Sequence, residues 1–258
     1  MAPPLHPSEV AAAGALRYDG AGAARAQEEV LVSEGRPIGL FEAIYSTRAL
    51  RRLRPDPVPE EVLFQLIDAA IRAPSGQNIQ DWRFVLITEP QMKQKLQAWA
   101  QEGWSRYQPQ YASDPALMDA LPGTQRLSLK SVAYLAHHLA QAPAVVAVCG
   151  LRGRHSTPGG STFPAVQNLL LAARALGLGA SIFNLSLTHA AELMETLGIP
   201  ENNQVYCLVP LGYPVDRHGP VRRKPVGQVA FWNRWHQPWP FAEQQPDEGW
   251  GAKWLGRT

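Results

Sequence analysis

The longest apolar stretch of the chain, residues 142–151 (APAVVAVCGL), limits the fold before anything else does. A membrane-spanning helix needs about 20 apolar residues, so this run is too short to cross a bilayer and suits a strand buried in a globular core. The run QVYCLVPLG near residue 210 reads as a second strand. Cys149 and Cys207 fall inside these two runs, outside any CxxC or Cys/His ligand spacing, and act there as small buried hydrophobes. The remainder of the 258 residues can complete a core. With 45% hydrophobic residues the chain is not disordered throughout, and its length fits one large domain better than two small ones. The start, MAPPLHPSEV, has no basic segment followed by an apolar one, so it is not a secretory signal, and a cytoplasmic location is expected.

Residues 1–38 stand apart. They are mostly small residues without sustained periodicity, flanked by prolines, and read as a flexible N-terminal arm. Phe41, Leu40 and Ile44 mark a short helix ending near Thr47. In PDPVPEEVLFQLIDAAIRAP, Leu63, Leu66, Ile67, Ala70 and Ile71 form one apolar stripe, Glu60 and Glu61 suit the positive end of the helix dipole, and Pro74 stops the helix. Residues 82–88 read as a strand. Residues 90–140 are helical in composition, interrupted by Pro109, Pro115 and Pro122, and rich in Trp and Tyr. A helix over 161–176 buries Val166, Leu169, Leu170 and Ala173 and ends at Gly177. A short strand (ASIFNL) and a helix capped by Thr188 precede the final strand. The tail, residues 237–258, is rich in Trp; with Trp232 and Trp235 just before it, the C-terminal region carries a large apolar surface that its own body or a second subunit must cover.

The chemistry-bearing motifs are few. HExxH, the P-loop, GxSxG and GxGxxG are all absent, and the histidines are scattered, so no metal site is expected. A net charge of +2, with no aromatics interleaved among the arginines, gives no case for a nucleic-acid or membrane-surface protein. Two basic clusters remain: Arg48, Arg51, Arg52 and Arg54 in TRALRRLRPDPV, and Arg222, Arg223 and Lys224 in VRRKP. Each alone is an ordinary solvated face. Each also lies in a Pro-bounded loop, where an arginine fork suits a phosphate. The loop APSGQNIQDW adds a hydroxyl, amides and backbone N–H groups that suit the edge of a planar heterocycle.

Taken together, these segments are specific. The run TRALRRLRPDPVPEEVLFQLIDAAIRAPSGQNIQDWRFVLIT, then GLGASIFNLS, LGIP and LVPLGYPVDRHGPVRRKPV, closely resembles the nitroreductase-like flavoproteins, in their order and spacing, over roughly residues 39–235. The resemblance implies an α+β nitroreductase-like fold with a central mixed, mostly antiparallel sheet flanked by helices. It implies an intertwined homodimer with FMN at the subunit interface, reduced by NADH or NADPH. Residues 39–236 would form the FMN-binding domain, with a lid around 99–130.

The resemblance also implies site residues. Arg48, with Ala49 beside it, would hold the phosphate, and Arg51 would approach the flavin N1 and C2 carbonyl, where negative charge develops on reduction. Pro74, Ser75, Gly76 and Asn78 would frame the ring and ribityl chain; Phe183, Asn184 and Leu185 would supply backbone groups near N5; Arg222 and Arg223 would clamp the phosphate. In the lid, Trp104, Tyr107 and Tyr111 are the candidate contacts for a small aromatic electron acceptor. No side-chain acid is required, so no catalytic residue is assigned. Thr47 and Ala49 depart from the family's usual Arg and Ser, which leaves more of the phosphate to the remaining arginines. The implied function is an FMN-dependent NAD(P)H oxidoreductase acting on nitroaromatics, quinones or similar planar compounds by a ping-pong mechanism. The alternatives are a flavin store or sensor without turnover, and a reductive dehalogenase-like branch, for which Glu102, Tyr107 and Lys130 lie at loose spacing. Ala49, in place of an acidic residue, argues against the branch that consumes its own flavin.

Overall fold

The central strand explains the layers of the molecule. In the computed structural model, which describes residues 38–153 and 157–241, the apolar run forms β2 (Ala144–Leu151), buried along nearly its whole length. Side chains alternate across a strand, so Ala144, Val146 and Val148 enter one core while Val145 and Ala147 enter another. A strand that is apolar on both faces needs helices on both, and it has them.

β2 pairs antiparallel with β1 (Arg83–Ile87) on one side and β4 (Asn203–Gly212) on the other, and β4 pairs antiparallel with the two-residue β3 (Gly179–Ala180). The order is β1-β2-β4-β3. Parallel pairing among the described residues is a bridge between Ala49 and Ala180.

One face carries α2 (Glu60–Ala70) and α6 (Thr162–Ala175). Val62, Leu63, Leu66 and Ala70 of α2 meet Ala165, Val166, Leu169 and Ala173 of α6. Ile71 falls beyond the end of α2 and is exposed. The other face carries α3 (Pro90–Tyr107), α5 (Gly123–His138) and α7 (Ala190–Thr196). Between α3 and α5 the prolines begin elements rather than only breaking them. Pro109 opens the short α4 (Pro109–Ser113), Pro115 opens a 3-10 turn, and Pro122 precedes α5. Gly177, with φ of 73°, ends α6 as expected.

Two local expectations are corrected. Only Gly179 and Ala180 of the GASIFNL stretch are strand; Phe183 still donates its N–H to Leu208 O at 2.9 Å, so the stretch follows β4 without a continuous ladder. Thr188 does not cap α7, because it sits inside a 3-10 turn (Leu185–His189) and donates to Leu185 O.

The first helix, α1 (Leu40–Ser46), buries Ala43 and Ser46, whereas Leu40, Phe41 and Ile44 are 65%, 48% and 44% exposed. Its apolar stripe therefore faces away from this chain's body. Trp232 and Trp235 are exposed too, in a segment held by aromatic contacts of its own: Phe231 with Trp235, and Trp232 with Trp239. All of the proposed arm (1–38) but its last residue, and most of the Trp-rich tail (237–258), lie outside the described residues. No helix among those described is long and apolar enough to cross a membrane.

Candidate functional site

The chain leaves α1 at Thr47, whose hydroxyl donates to Ala43 O, and runs on extended. Ala49 bridges to Ala180, Leu53 bridges to Pro214, and Leu50 and Leu53 are buried. These anchors leave Arg48 in solvent and turn Arg51 inward. The Arg51 guanidinium donates to Ser131 Oγ on α5 at 3.0 Å, while its Nε is buried without a hydrogen-bond partner. Burial lowers the pKa of Arg51 from the ordinary arginine value, yet arginine stays charged. A half-buried cation with an unmet donor is a strong pull on an anionic acceptor.

Arg51 lines a cleft of about 610 Å³ with Phe183, Asn184 and Leu185 on one wall and Gly103, Arg106 and Tyr107 of α3 on another. The wall at 183–185 is held firmly. Asn184 Oδ1 accepts from Leu208 N–H at 3.3 Å, and Ser186 Oγ donates to Leu96 O at 2.8 Å. Gly103 is what permits this approach: a Cβ there would lie 2.1 Å from Leu185 O.

The second arginine cluster joins the first through the backbone. Gly219 N–H donates to Ser46 O, Val221 N–H to Tyr45 O, and Arg48 Nη2 to Pro220 O, between 2.9 and 3.1 Å. Arg222 and Arg223 follow at once, exposed, with Arg223 donating to Arg222 O. His218 fastens the junction. Its Nε2 donates to Leu178 O at 2.9 Å, and its Nδ1 accepts from Arg48 N–H at 3.4 Å.

The loop with Pro74, Ser75, Gly76 and Asn78 is elsewhere. It leads into Arg83, which pairs with Cys149 near one end of β2. The arginine loop is tied to Ala180, across from Leu211, which pairs with Ala144 at the other end. Ala144 and Cys149 are five residues apart along β2, about 17 Å at 3.4 Å per residue. Within one chain the sheet holds the two loops apart. The loop itself is fixed by Gly76 N–H donating to Ser161 Oγ at 3.2 Å and Gln80 N–H donating to Ser75 Oγ at 3.1 Å. Gln77, Asn78 and Gln80 all have φ near +54°, at 53°, 54° and 53°. Left-handed non-glycine residues cost about 1–3 kcal/mol each and cluster at ligand-binding segments.

Among the lid residues, Tyr107 is 69% exposed at the rim of the cleft. Trp104 is 2% exposed and belongs to the core beneath α3, so its indole packs the lid rather than facing a ligand in the cleft. Tyr111 is half-buried outside the Arg51 cleft. Glu102 is bonded to His189 and Lys130 to Asp119, so of the dehalogenase-like trio only Tyr107 faces the cleft. Sequence reasoning missed Gly103, Arg106, Ser131 and His218. A lone glycine inside a helical stretch was the available signal for the first. No cluster of three or more potential metal ligands occurs among the described residues.

A two-faced antiparallel sheet, with an arginine loop stitched to a second basic segment at one end, defines a class. The chain belongs to the nitroreductase family, whose model matches residues 44–213. It is 32% identical over 203 residues to an NADH dehydrogenase of Thermus thermophilus, covering 74% of this chain and 94% of that protein. It is 30% identical over 204 residues to the iodotyrosine deiodinase of Haliscomenobacter hydrossis, covering 76% and 87%. In structure it is similar to an iodotyrosine deiodinase bound to FMN and 3-iodo-L-tyrosine, with a TM-score of 0.61, 22% identity and 76% and 100% of the two chains covered.

Proposed function

We propose that this chain is an FMN-dependent NAD(P)H oxidoreductase acting on nitroaromatics, quinones or similar planar electron-poor compounds. The observation that carries the reading is Arg51: a half-buried cation, with its Nε unmet, on the wall of a largely apolar cleft. When bound, FMN would supply hydride transfer between a reduced nicotinamide and a second molecule. The residues of this chain supply position and field. Arg51 would set a fixed positive charge where negative charge develops on reduction, and its partial burial would strengthen that field. Arg48, Arg222 and Arg223 would hold the phosphate. Val132, Ile182 and Phe183 would keep water from the ring, and the backbone at 183–185 would offer it hydrogen-bonding groups.

One chain supplies half of the cradle. The loop with Pro74, Ser75, Gly76 and Asn78 reaches a cleft only if a second copy brings it, so the working unit is a homodimer with two shared sites. The exposed stripe of Leu40, Phe41 and Ile44 and the exposed tryptophans are the surfaces such a dimer would cover. The test is direct. Protein purified with FMN should be yellow and should bleach with NADH or NADPH under anaerobic conditions, then recover on adding a quinone or nitroaromatic. Protein that takes up no FMN on titration rejects the reading.

A further inference from the structure

The Arg51 cleft carries two cations and no carboxylate. Neighbouring cations are matched: Lys130 by Asp119, Lys95 by Glu192, Arg52 by Asp216. Arg106 is not. It lies in the last turn of α3, and its natural partner is Glu102, one turn back at the i,i+4 spacing. Glu102 is instead 2.8 Å from His189 Nε2. His189 also stacks on Trp99, which fixes it in that place. Arg106 is thus left on the cleft wall with no hydrogen bond or ion pair among the described residues.

A guanidinium fork matches a carboxylate or phosphate in geometry as well as charge. On the function proposed above Arg51 is committed to the cofactor, so Arg106 faces the molecule that lies against the ring. We infer that the electron acceptor of this cleft is a planar aromatic bearing an anionic group, which Arg106 grips while the ring lies on the apolar wall. A phosphate of the nicotinamide donor shares this chemistry. The acceptor is the better match, because a carboxylate on a single ring stays within the cleft that Arg51 and Arg106 both line, whereas the donor's phosphates hang on a flexible chain.

The test uses the FMN-loaded full chain and two probes of equal shape, 4-nitrobenzoate and 4-nitrobenzamide. Dissociation constants come from calorimetry, and kcat/KM from steady-state reduction. The acid should bind about fivefold tighter than the amide, the worth of an ion pair at the edge of solvent. Arg106→Gln should abolish that preference in both measurements, and Arg106→Lys should keep most of it. Equal binding of the two probes by the unaltered protein would overturn the inference, as would a preference that survives Arg106→Gln. A variant that raises KM for NADPH but not NADH, with the acid preference intact, would assign the cation to the donor. Calorimetry on flavin-free protein separates the two readings: an acid preference lost in Arg106→Gln, in a chain that takes up no FMN, rejects the flavin and keeps the anion site.

Discussion

Arg51 and Arg223 are both cations of one proposed site, yet they should fail differently. Arg223 is exposed and assigned to a phosphate whose charge does not change during turnover, so its grip is the same in ground and transition states. Arg223→Ala should weaken FMN binding by about tenfold, and saturating FMN should restore most of the turnover. Arg51 is half-buried and assigned to a place where charge appears only on reduction. Arg51→Ala should slow anaerobic reduction even when every site holds FMN; rescue of Arg51→Ala by added FMN, but not of Arg223→Ala, would reverse the two roles. His218 adds a pH dependence. Burial lowers its pKa below the ordinary 6.5 and the charges of Arg174 and Arg48 lower it further, against the bond its ring donates to Leu178 O, while the neutral Nδ1 accepts from Arg48 N–H. A proton on Nδ1 would set two donors face to face. The folded form therefore resists protonation, and the stability His218 contributes is present above pH 6.5 and lost as pH falls below it. Melting temperatures from pH 7.5 down to pH 5 should drop more steeply for the native chain than for His218→Gln.

At the scale of elements, the site depends on how closely α3 approaches the turn at 185–189. Gly103→Ala favours the helix by about 1 kcal/mol, but the new Cβ would meet a backbone oxygen, which no rotamer change relieves. Overpacking of this kind costs about 1–3 kcal/mol, so the variant should melt several degrees lower and hold FMN less tightly; unchanged melting and binding would show that the turn is free to retreat. Elements with a strong internal pattern were legible in the sequence: α2 from its stripe, β2 and β4 from apolar runs, α6 from its stripe and closing glycine. Stretches whose form depends on distant partners were not. ASIFNL has strand composition, yet after Ala180 it is tied to β4 at Leu208, where Phe183 N–H donates to the carbonyl and Asn184 Oδ1 accepts from the N–H. Trp104 looked like a lid aromatic because composition does not say which side of α3 faces the core. The arginine and amide loops both stood out in the sequence by their chemistry. Their positions at opposite ends of the sheet follow from strand order, which one-dimensional spacing does not carry.

For the whole molecule, that separation makes a strong demand. If each site takes its arginines from one chain and its amide loop from another, two damaged chains can repair one site between them. Arg51→Ala and Asn78→Ala should each be slow alone. Mixed after co-expression, they should regain activity, since the heterodimer has one doubly damaged site and one intact. No gain from mixing, with heterodimers verified by mass, would place both loops' work within a single chain.

The doubly covered central sheet has a consequence for measurement. Its two thiols are buried, and burial pushes Cys149 up to about 11 and Cys207 up to about 12. The thiolate is the reactive form, so the native chain should stay dark to alkylating reagents near neutral pH until the sheet opens. The rate of label uptake is then a stopwatch for opening. A ligand that binds only the closed form slows it in proportion to occupancy. Retardation of labelling by FMN would thus weigh the cofactor's grip in protein whose colour is never consulted, and the same clock would rank each arginine variant.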